Sequence, residues 1–234
     1  IPVFIFNRAG KGNTLYCNFD FYEYFELRRK NRENDIREYF RNFLSRYCKW
    51  PAYDVVRDAD RIPLPSTSVF RFNDGAVAYA GVLSEDIADC GKEVTAGVPM
   101  KQEGHLYDVL GKTYLGYGKY AELKMRRGMP LLIASVPNRI AMPELKGSQS
   151  ITAGEMLKLS VMAGVDPHAV RIRVFASDGM EREHYGTVLY LKNGKGEFKL
   201  RTAVNDLPGN WKITVEEVVS GKEAVHLFQL ERQP

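Results

Sequence analysis

The stretch VFRFNDGAVAYAGVL, residues 69–83, decides the fold class. Two runs of β-branched, aromatic and small apolar residues, 69–72 and 76–83, flank Asn73-Asp74-Gly75. An Asp-Gly pair between two such runs is a strong β-hairpin signal, because glycine accepts the positive φ that tight hairpin turns require. The sequence therefore predicts a hairpin here.

Short strands and glycine-containing turns continue beyond this hairpin. Further β-type runs cover residues 105–110, 113–117, 120–125 and 131–136. Residues 84–100 are mostly polar and are interpreted as a loop. About six strands are enough for a small sandwich or barrel. We therefore predict a small antiparallel β domain over residues 67–137.

The C-terminal part, residues 147–234, predicts an Ig-like β-sandwich, because apolar and polar residues alternate in segments at the spacing of such folds. Trp211 follows the turn Pro208-Gly209, so we expect its indole to face the core. The alternating apolar positions are Leu157, Leu159, Val161, Val170, Ile172, Val174, Val188, Tyr190, Phe198, Leu200, Trp211, Ile213, Val215, Val225 and Leu227.

The first fifty residues have a different pattern. Two β-type runs, 1–6 and 14–19, flank a glycine-rich turn, and an apolar stripe on residues 36–47 predicts a helix that ends before Pro51. Two strands and a helix are too few to enclose a core. We therefore interpret residues 1–51 as a short α/β remnant of a longer chain, docked against upstream domains or a neighbouring subunit.

Composition narrows the function classes. The chain is 44% hydrophobic and 26% charged, with a net charge of +4 and no contiguous basic stripe, which argues against a nucleic-acid partner. No apolar run approaches the ~20 residues of a membrane helix. Cys17, Cys48 and Cys90 form no CxxC pair, so no metal site or cofactor is predicted. Buried thiols, or one disulfide and one thiol, remain open, as does the cellular location.

No catalytic residue emerges from the motifs. Gly10-Lys11-Gly12 lacks the spacing of a phosphate-binding loop, and a strand rather than a helix is predicted to follow it. Glycosidases place two carboxylates across the scissile bond. Glu216 and Glu217 are neighbours on one predicted strand, so their side chains point to opposite faces and do not form such a pair.

Tyrosines are the candidate binding residues. Tyr107, Tyr114, Tyr117 and Tyr120 lie on neighbouring predicted strands, where aromatic rings can form a platform for the apolar faces of sugars. The alternative is ordinary cross-strand packing, since tyrosine is a good strand former.

Several stretches resemble one family. The stretches that carry this resemblance are residues 69–76, 79–83, 105–116, 168–172, 184–185, 205–211 and 218–221. They resemble the C-terminal region of large multi-domain β-galactosidase-like glycoside hydrolases, often grouped as family forty-two. Residues 8–12 and 15–19 resemble the last hairpin of the amidotransferase-like trimerization domain that precedes it. The resemblance implies that the catalytic barrel and its two glutamates lie upstream, so no catalytic residue is carried over to this chain.

Two functions follow as hypotheses. The first is a non-catalytic C-terminal ancillary segment of a large carbohydrate-active enzyme, which supports assembly or contacts sugar. The second is a freestanding Ig-like carbohydrate-binding or adhesin-type module. The expected fold is the same for both: mainly β, with two antiparallel β-sandwich-like domains, the last Ig-like, preceded by a β-hairpin and a helix.

Overall fold

The computed structural model describes residues 4–18, 56–61, 64, 67–84, 90–164 and 168–233. This part of the chain is mainly β and is built from antiparallel sheets, which confirms the predicted fold class. Its helical content is a single 3-10 turn at Glu183–Tyr185, and no helix within the described ranges is long and apolar enough to cross a bilayer. The helix predicted on residues 36–47 lies outside the described residues.

An N-terminal hairpin consists of β1 (Phe4–Ala9) and β2 (Gly12–Cys17). A hairpin was predicted here, but its strands extend into residues 7–13, which were expected to form the turn. Its two-residue turn is Gly10-Lys11, and Gly10 has the positive φ of 59° that such a turn needs. A strand follows Gly12, so this turn has no helix N-terminus for a phosphate. Ile5 and Tyr16 of this hairpin are exposed.

Five strands form the first β domain as one antiparallel sheet in the order β3-β4-β7-β5-β6. The strands are β3 (Thr67–Asp74), β4 (Val77–Ser84), β5 (Glu93–Asp108), β6 (Thr113–Arg126) and β7 (Leu131–Val136). The hairpin of residues 69–83 is confirmed. Its turn is Gly75-Ala76, because Asn73 and Asp74 still pair with β4.

Strand β5 corrects one prediction. Residues 84–100 were expected to form a loop, but β5 already begins at Glu93 and pairs with β6 from there. Ala96, Val98 and Met100 are buried at alternating positions. The intervening Gly97 and Pro99 are poor strand formers and obscured this alternation in the sequence.

Strand β6 corrects a second prediction. Residues 113–117 and 120–125 were expected to be separate strands joined by a turn at Gly118-Lys119, but they form one continuous strand. Leu106 pairs with Gly116 and Tyr107 with Tyr114, so Leu115 is an extra residue in a β-bulge. Gly116 tolerates the φ of 116° at this bulge because it has no Cβ.

The last domain is a sandwich of a three-stranded and a five-stranded sheet, in the orders β13-β10-β8 and β12-β11-β14-β15-β9. Only β9 and β15 pair in parallel within the described residues. The strands are β8 (Glu144–Gly147), β9 (Ser150–Thr152), β10 (Met156–Met162), β11 (His168–Phe175), β12 (Thr187–Leu191), β13 (Lys195–Arg201), β14 (Gly209–Glu217) and β15 (Glu223–Glu231). The sandwich therefore begins before residue 147.

The inward faces of β10, β11, β13 and β14 are those predicted, and Trp211 is a fully buried core residue. Its indole Nε1–H donates to the Leu207 carbonyl at 2.8 Å. The predicted phase is wrong on two strands. On β12, Val188 and Tyr190 are exposed and Leu191 is buried. On β15, Val225 and Leu227 are exposed and the buried residues are Phe228 and Leu230.

The two β domains contact each other through the turn after β14. Lys222 Nζ donates to the Ile140 carbonyl at 2.7 Å. Lys112, in the β5–β6 turn, donates to the Val218 carbonyl, and its Nζ lies 3.4 Å from Glu216 Oε1. These bonds hold the last sandwich against one face of the sheet of the first β domain. We call this face, which carries Tyr107 and Ala134, the outer face.

Candidate functional site

An aromatic row crosses the outer face of the first β domain. Consecutive members of this row are paired in register from one edge of the sheet to the other. In order from β3 to β6 the row contains Phe72, Tyr79, Ala134, Tyr107 and Tyr114. A second row beside it places Val136, His105 and Tyr117 next to one another. The outer face therefore carries aromatic side chains on both of its flanks.

The junction with the last sandwich covers the centre of this face. Ile140 and Val219 are buried there in one apolar cluster with Tyr107 and Ala134. The two flanks stay accessible. On the β3 side, Phe72 stacks on Tyr79 at a centroid distance of 5.3 Å, and on the β6 side Tyr114 and Tyr117 reach solvent.

Tyr107 is the buried base of the β6 flank. Only 2% of its surface is exposed, and its hydroxyl accepts a hydrogen bond from the Ile140 amide at 3.0 Å. Burial raises the pKa of Tyr107, while the amide bond and the nearby Arg139 charge act in the opposite direction. A ring covered in this way has no free face for a ligand, so Tyr107 supports the site rather than contacting a ligand.

Four side chains form the accessible part of the flank, which we call the tyrosine patch: His105, Tyr114, Tyr117 and Arg139. Tyr117 is 62% exposed and Tyr114 is 37% exposed. His105 Nδ1 and the Tyr114 hydroxyl share a hydrogen bond of 2.9 Å, and the His105 ring meets the Tyr117 ring edge-on at 5.0 Å. The Arg139 guanidinium lies 4.8 Å from the Tyr114 ring centroid.

The β-bulge of β6 creates this arrangement. Tyr114 and Tyr117 are three positions apart, so in a regular strand their side chains would point to opposite faces. The extra residue, Leu115, shifts the alternation by one position, and both rings then contact His105. Bulges commonly re-aim side chains in this way.

Tyr120 lies apart from the other predicted platform residues. Its ring occupies the space above Gly97, where an added Cβ would be 1.8 Å from the Tyr120 hydroxyl oxygen. Arg61 covers the ring, with its guanidinium carbon 4.2 Å from the centroid. The structure therefore brings together three of the four predicted tyrosines, of which two are accessible, and leaves Tyr120 in another part of the sheet.

Sequence reasoning missed two members of the patch. His105 faces Tyr117 only through the pairing of β5 with β6, and Arg139 belongs to the segment between the two domains. The one available signal was the position of His105 two residues before Tyr107 on the same predicted strand, which places both on one face.

The other chemical candidates are accounted for by structural contacts. Glu216 and Glu217 follow each other on β14, the first beside Lys112 and the second buried with its carboxylate bonded to Val219 and Ser220. Cys90 is a free, exposed thiol. Within the described ranges, no group of three or more His, Cys, Asp and Glu side chains is placed to hold a metal ion.

Comparison with known proteins gives little beyond this geometry. No protein-family model matches the chain, and no curated protein matches it. Among solved structures, the chain is similar to the superoxide reductase (neelaredoxin) from Ignicoccus hospitalis, with 12% identity over 39% of this chain and 82% of that one. The TM-score of 0.30 is too low for this likeness to support an argument about function.

Proposed function

We propose that the chain is a non-catalytic ancillary segment of a large carbohydrate-active enzyme of the β-galactosidase-like type, and that its first β domain contacts saccharide through the tyrosine patch. The observation that carries the proposal is the exposed Tyr117 ring beside His105, with Arg139 lying on the neighbouring Tyr114 ring. The enzymatic context rests on the family resemblance of the sequence.

The chemistry of the patch suits a sugar. Pyranose rings have an apolar face of C–H groups that packs on an aromatic ring, and hydroxyl groups at their edges that need hydrogen-bond partners. Tyr117 offers the ring, the His105 imidazole meets it edge-on, and the Tyr114 hydroxyl shares a hydrogen bond with His105 Nδ1. Arg139 adds donors at the same site.

The opposite flank lacks this combination. Phe70 and Phe72 are exposed there to a similar degree, but their side chains have no polar atoms. The exposed phenylalanine rings offer nothing to the sugar hydroxyls, and the Tyr79 hydroxyl beside Phe72 belongs to a half-buried side chain. The polar partners, rather than aromatic exposure alone, favour the β6 flank as the saccharide site.

The patch is also held in place before any ligand arrives. Lys222 of the last sandwich binds the Ile140 carbonyl, the Ile140 amide binds the Tyr107 hydroxyl, and the Tyr107 ring lies 5.1 Å from the Tyr114 ring. Rings fixed in this way lose little conformational freedom on binding. The last sandwich would therefore stabilise the conformation of the binding surface.

Titration calorimetry of the full chain with a panel of neutral and acidic tetrasaccharides tests the proposal. We expect at least one tetrasaccharide to bind, and Tyr117→Ala to weaken that binding about tenfold through the lost ring contact. Tyr190→Ala is the matched control, because Tyr190 is 76% exposed on β12 of the other domain. Its affinity should equal that of the wild type.

Two results would overturn the proposal. One is the absence of binding to every tetrasaccharide in the panel. The other is an equal loss of affinity in Tyr117→Ala and Tyr190→Ala, which would show that the sugar adheres to exposed tyrosines without a site.

A further inference from the structure

We infer that the tyrosine patch selects anionic saccharides, that is, sugars bearing a carboxylate or a sulfate, with Arg139 as the residue that recognises the negative group. This inference rests on the proposed function, since it names the ligand class of the same site. It is carried by the position and the charge balance of Arg139.

Arg139 is a cation at the edge of the patch with no acidic partner among the described residues. It is exposed, and it forms no ion pair with any described residue. Its guanidinium lies against the Tyr114 ring at 4.8 Å, a contact that orients the group but leaves its charge unneutralised. An arginine fixed on an aromatic ring keeps its planar fork of donors available for a carboxylate or sulfate.

The other side chains of the tyrosine patch add polar groups and no negative charge. The Tyr114 hydroxyl shares a hydrogen bond with His105 Nδ1, and His105 Nε2 has no partner among the described residues. The Asp108 carboxylate, on the same hairpin, accepts the amides of Leu110 and Gly111 in the β5–β6 turn. That carboxylate is thus engaged within its own turn.

Tyr117 and Arg139 would contact different parts of a bound sugar. Tyr117, with 62% of its surface exposed, supplies the ring on which a pyranose packs, and the guanidinium of Arg139 lies on the ring of Tyr114. A saccharide that packs on Tyr117 and extends over Tyr114 would bring a ring substituent to Arg139. A neutral substituent would gain a single ordinary hydrogen bond there, and an anionic one a charge-assisted pair.

Three tetrasaccharides of the same β-1,4-glucan backbone separate charge from shape: cellotetraose, its C6-oxidised tetraglucuronate, and its C6-sulfated form. Calorimetric titrations of the full chain at low and moderate salt measure their affinities. We expect the tetraglucuronate, the sulfated form or both to bind about tenfold more tightly than cellotetraose, with an advantage that shrinks as salt rises. Comparing the tetraglucuronate with the sulfated form distinguishes carboxylate from sulfate recognition.

Arg139→Gln is the test variant and Arg201→Gln the control, because both remove one positive charge from an exposed position but Arg201 lies on β13 of the last sandwich. Arg139→Gln should lower the acidic affinity to that of cellotetraose, and Arg139→Lys should restore part of it. Arg201→Gln should bind as the wild type does.

The outcomes separate this inference from the proposed function. Equal affinities of the neutral and acidic forms, with both lost in Tyr117→Ala, would overturn the inference and leave the saccharide site standing. Acidic binding that falls equally in Arg139→Gln and Arg201→Gln would mean attraction to the net charge alone, and would overturn the inference. No binding of any form would overturn both.

Discussion

Replacing Glu217 by alanine should destabilise the junction between the two β domains more than any neighbouring substitution. Glu217 is fully buried at the end of β14. Its carboxylate accepts the Val219 amide at 3.1 Å, the Ser220 amide at 2.6 Å and the Ser220 hydroxyl at 2.6 Å. This carboxylate therefore determines the shape of the turn that places Val219 over Tyr107.

The expected loss of unfolding free energy follows from the hydrogen-bond donors that the substitution leaves without an acceptor. Each buried amide without an acceptor costs about 1–3 kcal/mol, and the Ser220 hydroxyl can turn to water at a smaller cost. We expect Glu217→Ala to lower the free energy of unfolding by about 2–3 kcal/mol, taking the lower part of that range for the buried Val219 amide and the part-buried Ser220 amide. Ser220→Ala, which removes only the hydroxyl bond, should cost about 1 kcal/mol.

Guanidinium unfolding followed by tryptophan fluorescence and far-ultraviolet circular dichroism measures these changes. Glu216→Ala is the matched control, because the partly exposed pair of Glu216 with Lys112 is worth less than about 1 kcal/mol. If the free energies of unfolding of Glu217→Ala and Glu216→Ala agree within about 0.5 kcal/mol, the turn does not depend on the buried carboxylate and the reasoning fails.

Three further predictions concern the core, the buried tyrosines and the N-terminal hairpin. Trp211→Ala should cost about 3–5 kcal/mol in chemical unfolding, since the indole is fully buried; an unchanged unfolding midpoint would contradict its place in the core. Burial raises the pKa of Tyr79 and of Tyr107 above 10.0, so the stability that their protonated forms provide is complete below pH 10.0 and is lost as the pH rises. Unfolding free energies measured from about pH 9 to about pH 11 should therefore fall less steeply in Tyr79→Phe than in the wild type, and equal slopes would contradict this. In hydrogen exchange, amides of Phe4–Ala9 should exchange faster than those of Gly209–Glu217, because Ile5 and Tyr16 are exposed; equal protection in a monomeric chain would show that the hairpin is covered from within.

The sequence predicted the buried face correctly for strands on which only one face is apolar. Leu157, Leu159 and Val161 alternate with polar residues, and the inward face of β10 is the one expected. Strand β15 has apolar residues at both parities, Val225 and Leu227 on one face and Phe228 and Leu230 on the other, so its pattern does not select a phase. Only packing against the second sheet decides which side is buried.

The candidate site was predictable in part for the same reason. A cluster of tyrosines on adjacent strands is visible in the sequence, and Tyr114 and Tyr117 do lie together. The bulge at Leu115, the burial of Tyr107 and the approach of Arg139 depend on strand register and on the domain junction. Such contacts join residues far apart in the chain, and no local pattern encodes them.

Chemical-shift mapping tests the central claim, saccharide binding at the tyrosine patch, most directly. Isotope-labelled full chain would be titrated with the tetrasaccharide that binds most tightly, and the backbone and ring resonances that move would be assigned. The account predicts saturable shifts centred on His105, Tyr114, Tyr117 and Arg139, with Tyr190 unaffected. Shifts centred on the last sandwich, or the absence of saturable shifts, would contradict it.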